Sequence, residues 1–189
     1  MWSNEKLVEF IKRYKGYDEL QALKAAYQTR LFIRSLIYTV IIGTIIALLG
    51  YAKEVVLVFV CYKSFRQSAG GIHVKGIIKC FVLSFITIFG TILLDKYVHL
   101  TVYVEIILWI YSIFIWYLLV PQGTSQRPIR KEDEKRKMKI ATAVLMVVVA
   151  LIRVFNYEIY KLSLWSMVIT LSFVTPIAYK VFKVKHDRL

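Results

Sequence analysis

Residues 98–120 read VHLTVYVEIILWIYSIFIWYLLV, with Glu105 as the one formally charged residue among them. About 20 apolar residues suffice for an α-helix to cross the hydrocarbon of a bilayer. Only a helix or a closed barrel pairs its own backbone there. The stretch therefore predicts a membrane-spanning helix. Outward from it, residues 76–94 and 140–155 repeat the pattern. Residues 35–62 are also apolar, broken only by Lys53 and Glu54. That run is too long for one span, and a charged pair at its middle is costly in hydrocarbon. Two helices, about 35–50 and 54–65, solve both problems by turning near Gly50. A sixth run, 159–182, contains Pro176, which a membrane helix tolerates better than a soluble one. Tyr51, Tyr97, Trp116, Tyr117, Tyr157 and Tyr179 stand near run ends, as interfacial anchors do.

Composition agrees. Of 189 residues, 58% are hydrophobic, above the 45–50% or so of soluble domains. That excludes a disordered chain, a collagen and a disulfide-rich module, and two cysteines make no disulfide framework. A net charge of +14 in a soluble protein would suggest nucleic acid. Here the charges lie between apolar runs, so the acidic bilayer surface is their partner and nucleic acid is not. Residues 1–28 interleave charged and apolar residues at helical spacing and lack a signal-peptide core. They predict an amphipathic surface helix, bent near Gly16. Of the 26 Lys and Arg, 22 fall in residues 1–34, 62–79, 121–139 and 180–189. The positive-inside rule places those segments, and hence both termini, in the cytoplasm. The expected architecture is all-α and integral to the membrane: one polytopic domain over 1–189, with six transmembrane helices and the N-terminal surface helix.

Chemistry concentrates in residues 66–80, between two expected spans. His73 stands in Arg66-Gln67-Ser68-Ala69-Gly70-Gly71-Ile72-His73-Val74-Lys75-Gly76, and Cys80 follows seven residues on. Cysteine and histidine can form a nucleophile and its base. On a straight helix the two would lie about 10 Å apart along the axis, so contact needs a break. Gly70, Gly71 and Gly76 allow one. His73 is thus expected outside a helix, with Cys80 in the first turns of the third span. A helix N-terminus, His73, Lys75 and Lys79 would all favour the thiolate. Gln67, Ser68 and the amides of Gly70 and Gly71 are candidate oxyanion donors. A cysteine in a membrane helix is also commonly a small filler, and a Gly-rich loop a turn; the residues alone leave both readings open. Cys61 has no neighbouring histidine and reads as filler. His73 and Cys80 make a poor metal set, and no cofactor motif is present. Glu105 is a functional candidate as an intramembrane carboxylate, or a buried polar partner near the outer interface. A small transporter or channel working through it is the alternative function, and a scaffold using the basic 121–139 loop is a third.

The chain resembles a known family, accessory gene regulator protein B, the membrane cysteine endopeptidase of Gram-positive quorum sensing. The resemblance rests on Arg66-x-x-Ala69-Gly70-Gly71-x-His73, six further residues and Cys80. It extends over the whole chain through the basic N-terminal helix, Pro121, Arg127-Pro128-Ile129 and the six runs. Before Pro128 this chain has Gly123-Thr124-Ser125-Gln126-Arg127, where the family is often more basic. The resemblance implies a substrate: a propeptide of the AgrD type with an acidic C-terminal tail. It implies Cys80 as nucleophile, His73 as base and then acid, and a thioester acyl-enzyme that the peptide's own cysteine closes into a thiolactone. It implies support or substrate contact from Arg66, Gly70, Gly71, Lys75, Arg127 and Pro128. It also implies a homodimer in the cell membrane of a Gram-positive bacterium, with the active site at the cytoplasmic side.

Overall fold

The computed structural model describes residues 8–10, 12–13, 18–72, 77–123 and 132–183. The described residues are α-helical apart from turns and connections, and the chain divides into two compact units, 1–45 and 46–189.

In the first unit, α1 (Glu19–Leu48) begins and then runs on past the boundary. Gly16, where a bend is expected, lies outside the described residues. Residues 19–28 of the expected surface segment and the expected span from 35 lie on this one 30-residue helix. The reason is local: residues 19–42 contain no Gly or Pro, so nothing interrupts the ladder. Thr29 and Thr39 donate their hydroxyls to Ala25 O and Ser35 O, each at 2.8 Å. That satisfies the hydroxyls within the helix itself.

In the second unit, Gly50 (φ 93°) turns the chain into α2 (Ala52–Ala69). Then come α3 (Ile77–Tyr97), α4 (Val102–Leu119), α5 (Glu132–Phe155), α6 (Tyr157–Ser172) and α7 (Pro176–Val181). Side chains cap three starts: Thr101 accepts from Val104 N, Asn156 from Ile159 N and Thr175 from Ala178 N. Residues 159–182 are therefore not one helix. α6 stops at Ser172, and Pro176 opens α7 at a position where its missing N–H costs nothing. The helix expected at about 54–65 is longer than expected, 18 residues as α2, or about 27 Å.

α6 is the hub. It packs against α2, α3, α4 and α5, and from Tyr160 to Leu171 all its side chains but two are buried. Among the described residues, α3, α4 and α5 are long and apolar enough to cross a membrane. They turn Val82, Ile86, Ile107, Ile110, Phe114, Val144 and Val147 outward, a surface suited to lipid rather than water. α2 and α6 pack against each other. There the Cys61 thiol donates to Ser163 Oγ at 3.5 Å.

Contacts at the helix ends fix their directions. Tyr51 meets Lys96, and Leu100 meets Tyr157, at one end of the bundle. Gly70 meets Gln122, and Ile72 meets Phe173, at the other. So α2, α4 and α6 run one way, and α3 and α5 return.

Candidate functional site

The site is built where α2 ends. Gly70 and Gly71 have φ of 78° and 101°, backbone that side chains disfavour. The pair lies along the segment that follows α4. Gln122 N–H donates to Ala69 O, and Gly71 N–H donates to Gln122 O, both at 3.1 Å. A β-carbon on Gly70 would run into the Gln122 carbonyl oxygen; on Gly71 it would meet Arg66 Nη1 at 2.8 Å and Phe173 O at 3.0 Å. The next residue turns to the other side, where Ile72 N–H donates to Phe173 O at 3.2 Å. Three segments far apart in sequence thus meet through main-chain atoms. Arg66 clamps the junction, donating to Gly70 O at 3.3 Å with its guanidinium 5.7 Å from the Phe173 ring centre. Tyr179 closes the third side by donating its hydroxyl to Gly123 O at 3.2 Å.

Ile72 is fully buried in a cluster with Ala178 and Tyr179, against which Leu83, Phe173 and Phe182 pack. Cys80 is half-buried in the first turn of α3, three residues before Leu83. Hence the residue preceding His73 and the residue one turn beyond Cys80 share one apolar cluster. His73, Lys75, Arg127 and Pro128 lie outside the described residues. Gln67 is exposed. Ser68 is buried, and its hydroxyl donates back along its own helix to Ser64 O at 3.0 Å and Phe65 O at 3.3 Å.

Gln122, Phe173 and Tyr179 are the junction residues that sequence reasoning misses. Pro121 draws attention to its loop, but nothing local pairs Gln122 with a glycine 52 positions earlier. Among the described residues, no group of three or more His, Cys, Asp or Glu could hold a metal ion.

Glu105 belongs to the other end of the bundle. It is 5% exposed. It accepts from Tyr157 Oη at 2.6 Å, Arg153 Nε at 3.1 Å and Tyr160 Oη at 3.4 Å. Tyr157, the first residue of α6, thus gives Glu105 its shortest hydrogen bond.

A family model, accessory gene regulator B, matches residues 4–177. The chain belongs to the accessory gene regulator B family. Its relatives include AgrB-like protein 2 of Clostridium perfringens strain 13, 22% identical over 92% of this chain and 86% of the relative. AgrB-like protein 1 of the same strain is 29% identical over 66% of this chain and 68% of the relative. An AgrB-like protein of strain SM101 is 24% identical over 87% and 81%. No solved structure matches. Membership in the AgrB family implies involvement in the peptide processing of agr quorum sensing.

Proposed function

We propose that this AgrB-family chain is a membrane cysteine endopeptidase. It removes the acidic C-terminal tail of an AgrD-like propeptide and leaves the remainder as a thioester on Cys80. The Cys80 thiolate attacks the carbonyl carbon before the tail, with His73 taking the thiol proton. His73 then gives that proton to the tail's amide nitrogen, and the C–N bond breaks. The peptide's own cysteine thiolate attacks the thioester next and closes a thiolactone, which frees Cys80. Exchange of one thioester for another is near balance. The first step, amide to thioester, is the uphill one and gains from a site that limits water. In this reading the chain crosses the membrane six times, with the basic segments and the 66–80 region at the cytoplasm. That surplus of positive charge suits an acidic tail.

The observation that supports the reading most is the shared cluster of Ile72 and Leu83, one flanking His73 and the other one turn past Cys80. It ties the two chain segments that carry the pair. The test is processing of a tagged propeptide in proteoliposomes. Cys80→Ala and His73→Ala should yield no cyclic product, and Cys61→Ala should match the wild type. Product from Cys80→Ala would end the proposal.

A further inference from the structure

An apolar groove of about 610 Å³ runs along α3 between Leu83 and Val98, with Ile169, Phe173 and Phe182 as its far wall. That volume is in the range of ligand clefts, about 300–1,000 Å³. Its floor on α3 includes Leu83, Thr87, Gly90, Leu94 and Tyr97. These follow Cys80 at steps of three, four, three, four and three residues, which is one face of a helix. Cys80 therefore heads the stripe that floors the groove. The polar exception near the mouth is neutralised, because the Thr87 hydroxyl donates to Leu83 O at 2.7 Å. At the mouth, Phe173 and Phe182 stand edge to face at 6.3 Å. Both also pack on the Ile72 cluster. Gly90 leaves the middle open, since a β-carbon there would meet nothing within 4 Å.

We propose that this groove receives the apolar residues just before the scissile bond of the propeptide, and so selects where the chain is cut. The inference rests on Cys80 being the nucleophile. In the thioester those residues remain bonded to Cys80, and the uncharged surface in line with it is this groove. The charged tail leaves in the other direction. A lipid chain could lie on any outward apolar face, whereas this groove has walls from α3, α6 and the segment around Phe182, and its lining begins one turn from Cys80.

The test uses chloromethyl ketone probes, whose chloride the Cys80 sulfur displaces to leave a thioether. Acetyl-Leu-Leu and acetyl-Asn-Asn chloromethyl ketones are compared on the full-length protein in nanodiscs by mass spectrometry. The amount of each probe extracted from the nanodiscs normalises for partition into the bilayer, and iodoacetamide reports the bare thiol. Burial of one leucine side chain predicts a preference of about tenfold or more for the Leu-Leu probe at Cys80. Gly90→Phe, which fills the groove, should erase that preference with the iodoacetamide rate unchanged. Leu83→Ala, which widens the mouth, should shift it toward an acetyl-Phe-Phe probe. Equal labelling by the Leu-Leu and Asn-Asn probes in the wild type would overturn the groove, as would a preference that survives in both variants. His73→Ala is the separate arm. If it leaves the iodoacetamide rate unchanged while the Leu-Leu preference persists, the groove stands and the Cys–His pair falls.

Discussion

The two ends of the bundle are held together by opposite means. At the Gly70 end, three segments join through main-chain hydrogen bonds at 3.1–3.2 Å, and glycine is required because a side chain has no room. At the Glu105 end, the turns join through side chains: Arg153, Tyr157 and Tyr160 gather on one buried carboxylate, and Trp109 Nε1 donates to Tyr160 Oη at 3.0 Å. A backbone stitch, here braced by Arg66 and Tyr179, tolerates no added methyl. A side-chain cluster consumes its polar groups in holding helices, and tolerates no loss of its central acceptor. The contrast teaches that Glu105 is engaged in holding helices together, whereas the glycine-built end packs the chain segment that leads toward Cys80, the nucleophile under the proposed function.

The strongest break of this contrast would come from exchanging the two roles. Cys80→Ala should abolish cyclic product, while Glu105→Gln should stay within about tenfold of wild-type turnover at the same expression. A polar path through Glu105, as a channel would need, predicts the reverse ranking. Next in size is Gly70→Ala. Its positive φ and the Gln122 carbonyl together predict a stability loss of about 1–3 kcal/mol, read as a lower thermal midpoint in detergent, with turnover falling at least about tenfold. Gly71→Ala should lose less, because its nearest backbone neighbour, Phe173 O, stands 3.0 Å from the added atom and Arg66 Nη1, at 2.8 Å, belongs to a flexible side chain, whereas on Gly70 the added atom runs into backbone.

At the opposite end, Glu105→Ala should cost about 1–3 kcal/mol of stability, the worth of hydrogen bonds to a charged group. Iodoacetamide labelling of Cys80 should stay at the wild-type rate. A drop in labelling would show that the ends are coupled. The smallest effect is at Tyr157. Tyr157→Phe removes one of the hydrogen bonds to Glu105 and should cost about 1 kcal/mol, read as a lower thermal midpoint in detergent; an unchanged midpoint would remove Tyr157 from the cluster's energetics.

Much of this was legible in residue order. The three long apolar helices follow from run length alone, since backbone pairing in hydrocarbon leaves few alternatives. Gly50 marked its turn, and Glu132-Asp133-Glu134 stand at the start of α5, where acidic side chains meet the helix N-terminus. The position of Cys80 at the start of α3 was legible too, because the polar Gly-rich stretch had to end before the apolar run began. The α6–α7 break was missed because an apolar run with one Pro reads as a kinked helix. The Thr175 cap that ends it depends on local geometry.

Sequence by itself determined the membrane class, the family and the residues to suspect, because periodicity, charge bias and the Arg66–Cys80 spacing are local properties. Only the tertiary structure decided that Gly70 lies on Gln122, that Arg66 clamps Phe173, that Glu105 is fully engaged and that a groove begins one turn beyond Cys80. Each of those joins residues tens of positions apart. Contacts at that range come from how helices pack around α6, and no local pattern encodes them.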